Sequence, residues 1–260
     1  MSVRIAWEQE GEGEPLLLIH GLGYARWGWE PVLPGLAERF TVLSFDNRGI
    51  GDSDAPPGPY TVAEMAADTL QVLDEAGVER AHVVGTSLGG MIAQELALSY
   101  PERVDRLVLA CTTPGGPNAH PMPKKTAALV ALAATLEPPV ALRRFVENAL
   151  APATAEARPE LVDEIVARRL ETPQDPVAWV AQASAGAAFD RLADLEQISM
   201  PTLVQTGDED VVVDPRNSEL LAERLPHARL ERFDGGGHLF FWEQPDAFVS
   251  SVTRFLEDRP

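Results

Sequence analysis

A chain of 260 residues with 45% hydrophobic side chains can fill the core of one α/β domain that carries an insertion. Its 40 acidic residues outnumber its 21 lysines and arginines, and the resulting charge of −19 opposes approach of a phosphate backbone, so no nucleic-acid partner is expected. No apolar run approaches the ~20 residues that span a bilayer, the start Met1-Ser2-Val3-Arg4-Ile5 lacks a secretory apolar stretch, and the single cysteine, Cys111, precludes an internal disulfide, so a cytoplasmic protein without a membrane partner is expected.

In chain order, Val3 to Glu8 alternates apolar and polar residues and predicts an outer antiparallel strand. The continuous run Leu16 to Ile19 predicts a strand covered on both faces. The loop after it, His20-Gly21-Leu22-Gly23, has glycines that permit close backbone approach, and Trp27 and Trp29 follow. Val42 to Phe45 is the next strand. Its loop, Asp46-Asn47-Arg48-Gly49-Ile50-Gly51-Asp52-Ser53, lacks both nucleotide-binding fingerprints, so Asp46 and Arg48 are read as electrostatic braces of the turn. Thr61 and Glu64 predict a capping box for a helix through Leu73, ended by Gly77.

The apolar run Ala81 to Val84 leads into Gly85-Thr86-Ser87-Leu88-Gly89, a Gly-x-Ser-x-Gly turn joining a strand to a helical pattern. Such a turn is a nucleophile elbow, with the glycines leaving room for a serine in strained backbone, so Ser87 is the expected nucleophile. The helix after it points free N–H groups back at the serine. The Leu88 amide is therefore one expected oxyanion donor, and the Leu22 amide the other.

Val104 to Cys111 is the next strand, with Cys111 assigned no chemistry. From about Thr113 to Ile198 the strand–helix rhythm breaks. Helices are predicted at Lys124 to Leu136, Val140 to Leu150, Arg158 to Leu170 and Pro176 to Ala188, forming a helical lid over residues 113–198 between core segments 1–112 and 199–260. Pro201 to Gln205 resumes the sheet. The acidic loop Thr206-Gly207-Asp208-Glu209-Asp210 then places a carboxylate where ligands gather on open α/β sheets, and spacing leaves Asp208, Glu209, Asp210 and Asp214 all open. Asp214-Pro215 predicts a helix start, Arg229 to Phe233 a last strand, and Pro245 to Leu256 a final helix. Between these, Gly235-Gly236-Gly237-His238 is a pliant loop carrying the expected general base, whereas His20, His82, His120 and His227 are read as structural. Trp27, Trp29 and Leu239 are the expected substrate contacts.

These motifs together resemble the α/β-hydrolase superfamily across nearly the whole chain outside the lid. The resemblance implies an α/β-hydrolase fold: a mostly parallel central sheet, helices on both faces, and the lid inserted before the penultimate strand. It also selects Asp210 as the acid, so that Ser87, Asp210 and His238 form the implied triad, in the chain order expected of the fold. Among subgroups the chain resembles small microbial carboxylesterases, 3-oxoadipate enol-lactonases and cofactor-free haloperoxidases. Epoxide hydrolases and haloalkane dehalogenases carry aspartate where Ser87 stands, which argues against those activities.

The expected function is hydrolysis of a small carboxylic ester or lactone through an acyl-serine, with no metal or organic cofactor. An enol-lactonase, a C–C bond hydrolase or a perhydrolase could use the same triad. The first of these, acting on an anion, would need a cation such as Arg143 or Arg144. A ligand-binding protein on a hydrolase scaffold is the alternative from another class, and a homo-oligomer is compatible with either.

Overall fold

The computed structural model describes residues 3–133 and 135–258. Strands form at β1 (Trp7–Glu10), β2 (Glu14–Ile19), β3 (Phe40–Phe45), β4 (Ala81–Thr86), β5 (Val104–Ala110), β6 (Thr202–Gly207) and β7 (Ala228–Phe233). They make one seven-stranded sheet in the order β1-β3-β2-β4-β5-β6-β7, parallel throughout except for antiparallel β1. The edge strand starts later than its alternation predicts. Residues 3–6 spend their hydrogen bonds on the 46–54 loop instead, with the Ala6 amide donating to Ser53 Oγ at 2.9 Å and the Asp46 amide to the Ala6 carbonyl at 2.9 Å.

The helices are α1 (Leu33–Ala37), α2 (Val62–Glu75), α3 (Leu88–Ser99), α4 (Lys124–Ala133), α5 (Pro138–Ala149), α6 (Pro152–Ala157), α7 (Pro159–Glu171), α8 (Pro176–Ala187), α9 (Arg216–Arg224), α10 (Phe240–Glu243) and α11 (Pro245–Glu257). Successive residues of a strand face opposite sides, so β2 splits its apolar run between two cores. Leu16 and Leu18 pack with Leu36 of α1 and Phe248 and Val252 of α11, while Leu17 and Ile19 pack with Met65 of α2, Ile92 of α3 and Leu221 of α9. Each such side chain contributes about 1.5–3 kcal/mol on full burial, which fixes the layers and aligns the carboxyl ends of the parallel strands at one edge.

The capping box at the start of α2 forms as predicted, with Thr61 Oγ1 accepting from the Glu64 amide and Glu64 accepting from the Thr61 amide. Between β5 and β6 lie α4 to α8, with one isolated bridge from Gly115 to Asp190. The helix predicted to run to Leu136 ends at Ala133, and residue 134 lies outside the described residues. The short α6 is an addition to the four helices predicted there. Among the described residues no helix is long and apolar enough to cross a membrane.

Candidate active site

The turn after β4 presents Ser87 at the carboxyl edge of the sheet. Its backbone, at φ 53° and ψ −119°, is one that L residues rarely adopt, and it joins β4 directly to α3. The turn closes so tightly that a Cβ on Gly85 would collide with the Gly89 carbonyl and come within 2.9 Å of Ala93 Cβ, while one on Gly89 would collide with the Ile19 carbonyl. Three hydrogen bonds fasten it: the Ser87 amide to the Ala110 carbonyl at 2.9 Å, the Gly90 amide to the Ser87 carbonyl at 3.0 Å, and Thr112 Oγ1 to that same carbonyl at 2.7 Å. The Ser87 side chain retains partial exposure.

The loop after β2 presses against the elbow from the neighbouring strand. A Cβ on Gly21 would stand 2.9 Å from Ser87 Cβ, so only glycine permits this approach. His20 shapes the loop from beneath. Its Nδ1 accepts the Gly21 amide at 2.7 Å, which assigns its proton to Nε2, and its ring stacks on Tyr24 at 4.8 Å and meets Trp29 edge-on at 4.9 Å. Burial pushes the His20 imidazole down to about 3. Asn47 holds the same loop by donating to the His20 carbonyl at 2.9 Å. Among the described residues the Leu22 and Leu88 amides donate to no other group.

His238 and Asp210 meet at 2.7 Å between His238 Nδ1 and Asp210 Oδ2, with both side chains buried. The other carboxylate oxygen of Asp210 accepts the Val212 and Val213 amides at 2.7 and 3.0 Å, which locks its orientation. Of the acids left open by spacing, Asp210 is thus the one joined to His238. Asp214 instead lies just before α9, accepting the Arg216 amide at 3.0 Å and pairing with the Arg216 guanidinium. Burial, reinforced by the Asp210 charge, pushes the Cys111 thiol well up.

A residue missed in the sequence fixes the histidine loop. Glu243, on α10, accepts the Gly237 amide at 3.2 Å, the Ala151 amide at 2.9 Å and Thr154 Oγ1 at 3.1 Å. With the Leu239 amide donating to the Ala149 carbonyl at 2.9 Å, it clamps His238 to the α5–α6 junction of the insertion. Burial pushes the Glu243 carboxyl up despite these donors. Nothing in the periodicity marks Glu243, because its partners Ala151 and Thr154 lie 92 and 89 residues away in sequence.

The insertion crosses the same edge. Gln182 on α8 donates to the Arg48 carbonyl at 2.6 Å, Gln174 to the Gly49 carbonyl at 3.1 Å, and Trp27 Nε1 to Thr172 Oγ1 at 2.8 Å. Arg48 and Asp46 brace the 46–53 loop, although with partners other than each other. Arg48 makes a bidentate pair with Asp68 of α2 at 2.6 and 2.8 Å, and Asp46 accepts the Arg26 and Asp52 amides and pairs with the Arg26 guanidinium.

Two expected roles are corrected. Trp29 has no exposed surface and packs against His20 and Phe241, so its area is spent on the core rather than on a substrate. Arg143 and Arg144 lie on the exposed side of α5, where Arg143 pairs with Asp163 and Glu147, so neither reaches the elbow. Trp27 and Leu239 are both buried and bonded to the insertion, Trp27 through Thr172 and Leu239 through Ala149.

A strand-borne serine at a strained elbow, free amides beside it and a buried histidine–carboxylate pair define the class. A family model described as the alpha/beta hydrolase fold matches residues 14–245, and the chain belongs to that family. It is 34% identical over 256 residues to "Putative carbamate hydrolase RutD" of Azorhizobium caulinodans, covering 96% of this chain and 93% of the relative. Among solved structures, a hydrolase from Pseudomonas aeruginosa matches with a TM-score of 0.87 at 33% identity, covering 98% of this chain and 95% of that one. The enol-lactonase from Burkholderia xenovorans LB400 matches with a TM-score of 0.87 at 27% identity, covering 98% and 97%.

Proposed function

We propose that the protein is a serine hydrolase that cleaves small carboxylic esters or lactones through an acyl-serine intermediate. The observation carrying this reading is the 2.7 Å bond between His238 Nδ1 and Asp210 at the edge where Ser87 is presented. In this scheme Nδ1 carries the proton shared with Asp210, leaving Nε2 as the base that takes the Ser87 proton as Oγ attacks the carbonyl. The Leu22 and Leu88 amides receive the developing oxyanion. His238 then returns the proton to the leaving alcohol, and water repeats the sequence on the acyl-serine. Asp210 stays ionised throughout, stabilising the imidazolium.

Lactone cleavage differs only in that acyl and alcohol parts stay joined, and the likeness to an enol-lactonase supports including that substrate class. The helical insertion acts as a lid, supported by its hydrogen bonds to the 46–53 and 237–239 loops. The scheme needs no metal or organic cofactor.

Turnover of short p-nitrophenyl esters tests it. Wild type turns them over, while Ser87→Ala, folded by circular dichroism, falls by about 10⁴-fold or more. Equal turnover by both proteins removes the acyl-serine from the account.

A further inference from the structure

In this acid-rich chain, Arg169 stands apart. It lies in the last turn of α7, half-buried, and no carboxylate among the described residues comes within ion-pairing distance of it. Its neighbours are neutral. The guanidinium lies 5.0 Å over the Tyr24 ring and bears on the Tyr24 hydroxyl, and its Nη2 occupies the space that a Cβ on Gly23 would fill. From the next helix, Trp179 brings its indole Nε1 to 3.7 Å from that same point, and this N–H donates to no group among the described residues. Two donors from separate lid helices therefore meet over the oxyanion loop without an anionic acceptor. A half-buried guanidinium surrounded by neutral groups keeps an uncompensated charge, which a carboxylate matches in both sign and planar geometry.

We propose that Arg169 and Trp179 form an anion subsite that takes the free carboxylate of a small ester or lactone whose reacting carbonyl lies at Ser87. This rests on the hydrolase reading above and narrows it to substrates carrying a second, ionised carboxyl group. The subsite stands on the loop that abuts the nucleophile: Gly23 is two residues from Gly21, a Cα span of at most ~7 Å, Gly21 packs on Ser87, and Arg169 Nη2 fills the Gly23 Cβ position. A chain of about four to six bonds between carbonyl and carboxylate is comparable to that stretch of loop. The cation expected on α5 is thus supplied from the last turn of α7.

Monoethyl adipate and ethyl hexanoate, matched except for the carboxylate, provide the test. Binding is measured by calorimetry on Ser87→Ala protein, which holds the esters without needing turnover. Monoethyl adipate is expected to bind at least tenfold more tightly than ethyl hexanoate, a preference lost in Ser87→Ala/Arg169→Met and reduced about threefold in Ser87→Ala/Trp179→Phe, which keeps an aromatic ring but removes the N–H. The wild-type preference in kcat/KM follows the same order, mainly through KM. An unchanged preference in both lid variants, or no preference at all, overturns the subsite. Carboxylate-dependent binding without turnover of either ester by wild type instead keeps the subsite and removes the hydrolase reading beneath it.

Discussion

Asp210 has both carboxylate oxygens engaged, one by two loop amides and the other by His238 Nδ1. That division of labour sets what a substitution does. Asp210→Asn keeps the shape and can keep an oxygen on the Val212 and Val213 amides, which turns its NH2 toward the imidazole. The ring then accepts at Nδ1 and carries its proton on Nε2, the wrong tautomer for a base facing Ser87. The expected result is a fall in kcat of about 10⁴-fold with KM and thermal stability little changed, read from steady-state kinetics and a melting curve. A kcat within tenfold of wild type would place the orienting role elsewhere. The Leu22 amide is contributed by backbone, so Leu22→Ala is expected to retain turnover, whereas a Cβ at Gly21 would strike Ser87.

At the scale of elements, the decisive contacts join segments distant in sequence. The loop at 237–239 is held by Glu243, which also accepts the Ala151 amide, and by Ala149 of the insertion. Glu243→Ala leaves three donors without their acceptor and frees the histidine loop, and displacement of about 1 Å can cost 10²-fold in rate. A fall in kcat of about tenfold to 100-fold is expected, with Glu243→Gln close to wild type. The Gln oxygen still accepts from Ala151 and Gly237, and its NH2 donates to the Thr154 hydroxyl. Wild-type kcat in Glu243→Ala would show that the lid junction does not position His238.

This contrast explains what was legible in the sequence. Strands β2 to β6 and the elbow announce themselves because apolar runs and the Gly-x-Ser-x-Gly spacing are local. Asp210 could be chosen only by resemblance, since the feature that separates it from Asp208, Glu209 and Asp214 is contact with a residue 28 positions away. Glu243, Arg169 and Trp179 were invisible for the same reason. Trp29 and Arg143 were misplaced because proximity in sequence to a site loop does not say on which side of it a side chain falls.

Across the whole molecule, burial of titratable groups ties stability to pH. His20 is pushed down to about 3, chiefly by burial, from its ordinary value of 6.5. Between those values the unfolded chain binds a proton that the native state refuses, so this contribution to stability is fully present above pH 6.5 and is lost as the pH falls toward 3. The slope for one group is at most about 1.4 kcal/mol per pH unit. His20→Asn, whose side-chain oxygen can still accept the Gly21 amide, removes that titration. Urea denaturation of the two proteins from pH 7 to pH 4.5 is expected to show wild type losing stability more steeply than the variant, and parallel curves would contradict the assignment of a neutral, buried imidazole.

The proposed acyl-serine scheme requires one hydroxyl, on Ser87, to be reactive where the molecule's other serines are inert. Intact-mass and peptide mapping after treatment with a fluorophosphonate measures this directly. A single adduct on Ser87 is expected in wild type, forming much more slowly in His238→Ala and absent in Ser87→Ala. Folded wild-type protein that remains unlabelled, or an adduct on any other residue, would contradict it.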